Sequence, residues 1–357
     1  MSQKITFYPL GNAETCLLEL DNGEKILFDF ANMRTSDDDE RYDIISDLSD
    51  IETFKIVMFS HAHEDHVKGA KDFFYLEHAQ KYQDDDRPKI QELWVSSAFI
   101  LDTDLENQSD AKVIRNEARH RLREGRGIKV FAEPTALDNW LEEQDIKYED
   151  VKNCIVHAGT NLSISDEMDV FVHAPFSNDS EEVEDKNDPS IVIQVRIKNN
   201  LQETNILITG DTKYQTLDKI VEITKENKNE EYLKWDIYDI PHHCSHTGLN
   251  EKDESNNSVT PTDNIQWLLS QAESGAIMVA SCKKITEETS PPHLIAKDAY
   301  IKYTADNVDF VSTMEHIPKG KSIPSPIVIQ IDNFGITFKK NEGRMTYFTK
   351  SAPRAGE

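Results

Sequence analysis

The sequence predicts a mixed α/β (α+β) chain whose strands gather in two halves, an arrangement that two packed sheets would satisfy. Three observations lead there. Short alternating or wholly apolar runs occupy residues 3–32 and 55–59 and return from residue 151. Helix-length periodic stretches separate them, at 67–82, 112–123, 136–144, 217–227 and 291–303. Finally, three apolar runs stop abruptly in histidine or aspartate.

The bulk properties bound the possibilities. A chain of 357 residues is long enough for one large domain or two small ones, and 38% hydrophobic content supports a packed core. A net charge of −27 repels polyanions at long range, although bound cations can reverse the sign locally. The four cysteines (Cys16, Cys154, Cys244 and Cys282) are scattered without a paired spacing, which reads as reduced thiols in a cytoplasmic protein. The start of the chain runs straight into a strand pattern with no apolar leader, and no run is long enough to cross a membrane. A single domain over 1–348 is expected, with a charged, partly helical insertion at about 84–127 and a flexible tail at 349–357.

Taken in order, Ile5 and Phe7 begin an alternating strand, and Cys16–Leu20 and Lys25–Phe30 form a hairpin about Asp21-Asn22-Gly23. Lys55–Phe59 is a buried strand that ends in Ser60-His61-Ala62-His63-Glu64-Asp65-His66. Residues 67–82 read as one helix with aromatic faces, and Glu92–Ser96 as a strand. Residues 112–123 form a basic helix in an acidic chain. The plain reading of its arginines is internal ion pairing, and the sharper one is a phosphate-contacting arm that uses Arg115, Arg119 and Arg123. Asn153–Gly159 and Asn161–Ile164 read as a hairpin, followed by the strand Met168–Ala174. Residues 176–189 are an acidic loop, and two strands follow, 190–197 and 204–209. The second of these runs into Gly210-Asp211, and the strand Trp235–Ile240 runs into Pro241-His242-His243-Cys244-Ser245-His246. Ser290-Pro291-Pro292-His293 opens a helix, and Ile327–Ile331 with Phe334–Phe338 makes a final hairpin.

Four ligand-type residues in six positions, directly after a buried strand, point to a metal site. His61 and His63 leave the strand together, and Asp65 and His66 follow about one helical turn later, so two pairs can face two adjacent ions. Neutral imidazole with carboxylate suits zinc, manganese or iron.

Ser60–His66 resembles the HxHxDH signature of the metallo-β-lactamase superfamily. Ile206–Asp211, followed about thirty residues later by His242-His243-Cys244-Ser245, resembles the soluble domains of ComEC-type DNA-uptake competence proteins, with Cys244 where that pattern has glycine. The resemblance implies a four-layer αββα sandwich of two packed mixed β-sheets flanked by helices. It implies two divalent metal ions, zinc first and manganese second, held by His61, His63, Asp65, His66, His173, Asp211 and His243. His157 is the alternative to His173, and the roles of His242 and His243 can be exchanged. Asp211 would bridge the ions. Asp29 would either support the metal-site loop or cap a turn. Asp65, Asp211, His242 and His293 would carry catalysis, and His242, Ser245, His246 and His293 would surround the substrate. The activity implied is hydrolysis by a hydroxide activated by two metals, first on nucleic acid as a phosphodiesterase or nuclease. A small phosphodiester, ester or lactone is the alternative substrate, and a non-catalytic interaction subunit is the remaining reading.

Overall fold

The computed structural model describes residues 3–103, 105, 109–132, 134–176, 190–199, 202–339 and 345–347. Its strands are β1 (Gln3–Phe7), β2 (Cys16–Glu19), β3 (Lys25–Phe28), β4 (Thr53–Phe59), β5 (Lys89–Ser96), β6 (Ile128–Phe131), β7 (Ile155–Val156), β8 (Asn161–Ser165), β9 (Met168–Ala174) and β10 (Val192–Asn199). They continue as β11 (Gln202–Ile208), β12 (Trp235–Asp239), β13 (Lys252–Asp253), β14 (Ser258–Val259), β15 (Ala272–Ala280), β16 (Asp309–Ser312), β17 (Ile327–Asp332), β18 (Gly335–Lys339) and β19 (Met345–Tyr347).

Among the described residues, one sheet runs β19-β18-β17-β1-β2-β3-β4-β5-β6-β7 and a second runs β16-β15-β12-β11-β10-β9-β8. Both are mixed. β3 to β7 pair in parallel, as do β11, β12, β15 and β16, and the remaining neighbours in the two sheets are antiparallel.

Side-chain alternation turns these ribbons into layers. On β4, Ile56 and Met58 face the second sheet, where they meet Val170, Val172, Ile193, Ile206 and Ile208 in a shared core. Val57 and Phe59 face outward onto a separate apolar layer that includes Ile44, Ile114 and Leu122. The outer face of the second sheet, with Leu207, Trp235 and Tyr238, is covered by the helices Tyr214–Glu226, Asp263–Leu269 and Leu294–Tyr303. The result is the four-layer αββα sandwich. Each large inward side chain contributes roughly 1.5–3 kcal/mol by leaving water.

Several local expectations change. Residues 84–127 belong to the sandwich: they supply β5, between β4 and β6, and the helix Asp110–Glu124 that covers it. The stretch 67–82 is not one helix. Gly69 adopts φ +83, and short helices lie on either side, Glu64–Val67 and Ala70–Phe73. Phe73 and Phe74 then turn inward onto Phe30. Residues 153–164 are not a hairpin. β7 closes the first sheet and β8 opens the second, so this segment is the crossover between the sheets. Most of the acidic loop 176–189 and the whole tail 349–357 lie outside the described residues.

Candidate metal centre

The site forms where β4, β11 and β12 end. The strand Thr53–Phe59 delivers Ser60 and His61, and the single helical turn Glu64–Val67 then carries Asp65 and His66 back beside them. β11 ends in Gly210-Asp211. Gly210 has φ +51, and a Cβ there would lie 3.0 Å from the Cβ of Ser60, so glycine permits the two sheets to close at this point. β12 ends in three consecutive residues with left-handed backbone: His242 (φ 51), His243 (φ 51) and Cys244 (φ 61). Such conformations cost on the order of 1–3 kcal/mol each for residues with side chains. Here they turn two imidazoles toward Asp211.

Two groups result. Asp65, His66, Asp211 and His243 form one, and His61, His63 and Asp211 form the other. In the first, His243 Nε2 lies 3.0 Å from Asp65 Oδ2 and 3.6 Å from Asp211 Oδ1, and His66 Nε2 lies 3.3 Å from Asp211 Oδ1. Tetrahedral bonds of about 2.0–2.1 Å would set neighbouring donor atoms about 3.3 Å apart. In the second group, His61 Nε2 lies 3.9 Å from Asp211 Oδ2. The two oxygens of Asp211 therefore face different groups.

Hydrogen bonds select which ring nitrogen is free. His66 Nδ1 donates to Asp29 Oδ2 at 2.8 Å, and His243 Nδ1 donates to the Ser281 carbonyl at 2.8 Å. His61 Nδ1 lies 3.0 Å from Ser60 Oγ, which itself donates to Asp29 Oδ2 at 2.6 Å. Asp29 also accepts from the Ser60 backbone N–H. It thus holds the loop, as the resemblance implies, rather than capping a turn. The Nε2 atoms of His61 and His66 and Oδ1 of Asp211 are buried without a hydrogen-bond partner. These orphaned donor atoms, all of nitrogen and oxygen ligand type, fit divalent ions of the zinc or manganese kind.

The electrostatics agree. Burial opposes protonation of His66, but Asp211 and Asp29 outweigh it and raise its pKa well above the ordinary value. Burial likewise opposes charge on His243, yet Asp211 and Asp65 lift it to about 9. Burial would raise Asp211, but His243, His66 and His61 hold its carboxyl well below the usual carboxylate range. The carboxylates of this group thus favour positive charge at its centre. His61 behaves differently: burial and the neighbouring His66 keep it neutral.

His173, expected among the ligands, lies elsewhere and is not brought to this cluster. Val170 and Val172 of β9 face the inter-sheet core, so strand alternation sends Phe171 and His173 to the opposite face. There His173 Nε2 donates to the Tyr232 carbonyl at 3.0 Å, and burial lowers its pKa to about 4. His157 lines the same outer cleft, of about 450 Å³, and does not replace it. Neither nitrogen of His293 is free: Nδ1 accepts from the His246 N–H, and Nε2 lies 3.0 Å from Ser290 Oγ. Ser245 Oγ accepts from Thr247 N–H and Thr247 Oγ1, and His246 Nδ1 lies 3.2 Å from the Asn250 carbonyl. Cys244 is fully buried in an apolar cluster, and burial pushes its thiol up, so it serves as packing.

The basic helix is committed to structure. Arg115 bonds the Asp102 carbonyl, and Arg119 bonds the Ile100 carbonyl and lies over Trp140. Arg121 pairs with buried Glu117, and Arg123 bonds Gln144. Two acids escaped sequence reasoning. Burial and the charge of neighbouring Asp239 push the Glu14 carboxyl up, and its Oε2 lies 4.0 Å from His66 Nδ1. The strand alternation around each gave no signal for a contact 225 positions apart.

No protein-family model matches the chain, and no curated protein sequence matches it. Solved structures similar to it include CmlA, a diiron β-hydroxylase from Streptomyces venezuelae, at 11% identity and TM-score 0.41, covering 87% of this chain and 53% of that one. A metal-dependent hydrolase of the β-lactamase superfamily aligns at 12% identity and TM-score 0.38, over 87% of this chain and 95% of the other. The metallo-β-lactamase GOB-18 from Elizabethkingia meningoseptica aligns at 14% identity and TM-score 0.29, over 84% and 87%. The chain spans about half the length of the first of these. No helix among the described residues is long and apolar enough to cross a membrane.

Proposed function

We propose that this chain is a metal-dependent hydrolase of the metallo-β-lactamase superfamily that cleaves a small phosphodiester at a two-metal centre. The observation that carries this reading is the division of Asp211, whose Oδ1 faces His66 and His243 while its Oδ2 faces His61. His61, His63 and Asp211 would hold one ion, and Asp65, His66, Asp211 and His243 the other. Two divalent ions held there would lower the pKa of a water and polarise the bond to be cut.

The chain's own groups supply the rest. Asp29, Ser60 and the Ser281 carbonyl fix the histidine tautomers before any ligand arrives. Asp65 is the most exposed acid of the centre, with 30% of its side chain accessible. Burial would raise its carboxyl, but His243 and His66 hold it below the usual carboxylate range, so it stays a carboxylate that can accept a hydrogen bond from the attacking water and orient it.

Substrate size follows from charge. A nuclease needs a basic track for the phosphate backbone. The arginines that suggested one, Arg115, Arg119 and Arg123, bond carbonyl and amide oxygens of this chain instead. With a net charge of −27 as well, the small phosphodiester is the better reading, and a nuclease becomes the alternative.

The test is turnover of bis(p-nitrophenyl) phosphate, p-nitrophenyl acetate, single-stranded DNA and RNA by the chain loaded with zinc or manganese. Cleavage of the small phosphodiester with much slower cleavage of the polymers is expected. Faster cleavage of DNA or RNA would restore the nuclease. Hydrolysis of the acetate alone would move the reading to carboxylic esters. No turnover by a chain that holds both ions would end the enzyme reading.

A further inference from the structure

Resting on the two-metal reading, we propose that His242 is the third imidazole of the first ion, completing the set begun by His61, His63 and Asp211. The two ligand groups are unequal. One offers four side chains and the other three, and His173 faces the wrong side of β9 to make up the difference. His242 is not among the donor atoms that already stand together, but it borders them through Asp211. Its Nε2 lies 3.9 Å from Asp211 Oδ2, the same separation that His61 Nε2 keeps from that oxygen on its own side. Asp211 Oδ2 is thus faced by His61 and His242, as Oδ1 is faced by His66 and His243.

The free nitrogen of His242 is also the one required. Nδ1 lies 3.0 Å from Thr247 Oγ1, and Thr247 Oγ1 donates to Ser245 Oγ at 2.9 Å, so Nδ1 is the donor and Nε2 is left as the acceptor. This repeats the pattern at the other histidines, where Asp29 fixes His66 and the Ser281 carbonyl fixes His243. The left-handed backbone from His242 to Cys244 explains how adjacent residues can serve two ions. In an extended strand they would point to opposite faces, and the turn brings both to Asp211. With 22% of its side chain exposed, His242 stands at the open side of the site. The first ion would therefore gain its last protein ligand from a residue with room to adjust, and would remain the more exchangeable of the two.

The experiment is a titration of the metal-stripped full chain with Co²⁺, read by visible absorption and by metal content after gel filtration. Wild type, His242→Ala, Thr247→Val and His173→Ala are compared. Wild type is expected to bind two equivalents. His242→Ala should keep the tight equivalent and weaken the other on the order of 100-fold, and Thr247→Val should weaken the same one about 10-fold. His173→Ala should alter neither. The retained tight equivalent shows that His242→Ala is folded. Two equivalents of unchanged affinity in His242→Ala would overturn the proposal, whether or not the KM for a phosphodiester rises. Equal loss of both equivalents in that variant, with Thr247→Val unaffected, would also overturn it. Failure of wild type to bind a second equivalent would instead remove the two-metal reading on which it rests.

Discussion

The group formed by Asp65, His66, Asp211 and His243 and the group formed by His61, His63 and Asp211 share one carboxylate, yet they are supported differently. In the first, both histidines are buried and each is oriented by a strong oxygen acceptor, the Asp29 carboxylate or the Ser281 carbonyl. His243 stands 3.0 Å from Asp65 and 3.6 Å from Asp211, and His66 stands 3.3 Å from Asp211. In the second, His61 leans on a serine hydroxyl, His63 is only partly buried, and the nearest approach to Asp211 is 3.9 Å. Preorganised donors lose little freedom on binding, so the first group should fill first and release last. A closed set beside an open one is also what a reaction needs. The closed ion anchors the site, and the open one keeps positions for substrate.

The comparison can be broken most decisively at the shared residue. Asp211→Asn should cut turnover on the order of a thousandfold and weaken both ions, as metal content and kcat together would show. If only one ion is weakened, the carboxylate does not join the two groups. Next come the separate halves. His243→Ala should remove the tight ion, whereas His63→Ala should spare it and remove the weaker one. Calorimetric titration distinguishes these outcomes, and the reverse assignment would invert the account of the two groups. Asp29→Asn acts one layer further out. It should weaken the tight ion about 10–100-fold, because His66 loses the acceptor that sets its tautomer, and should leave the other ion nearly unchanged.

How much of this was legible beforehand depended on how local each signal was. His61, His63, Asp65 and His66 announce themselves because an apolar strand and its ligands are contiguous in the chain. Gly210-Asp211 and His242-His243 could be read the same way, each at the end of its own strand. His173 also ends a strand, but which face it occupies depends on strand parity relative to a core that sequence alone does not locate. Gly69 broke a helix that apolar spacing had suggested, because its left-handed backbone next to Asn32 outweighed the pattern. The basic helix looked like a surface for phosphate. Its arginines instead satisfy carbonyls at Asp102 and Ile100, partners that only the packed chain brings near. The support from Ser281 and Thr247 is of the same kind, since single hydroxyls and carbonyls carry no pattern.

The smallest effect on the site should come from its scaffold. Glu117 is buried between His78 and Arg121, and it accepts from the His78 backbone N–H as well. Burial would raise its carboxyl, but the His78 and Arg121 contacts hold it down at about 2 against an ordinary 4.5. The stability it contributes is therefore fully present above pH 4.5 and is lost as pH falls through about 2. Glu117→Gln should lower stability by about 3 kcal/mol at neutral pH and flatten the acid side of the unfolding curve. Metal content at neutral pH should not change. A shift in metal affinity would mean that this helix reaches the site after all.

The most direct measurement is the zinc titration of the metal-stripped wild-type chain, followed by calorimetry with pH held near neutrality in buffers of different ionisation enthalpy. Two ions should bind in sequence, the first more tightly and with release of protons, because His66 and His243 must give up the protons that their neighbouring carboxylates favour. The second should bind more weakly and release fewer, because His61 is already neutral. A single ion, or two of equal affinity with equal proton release, would contradict the unequal two-metal centre.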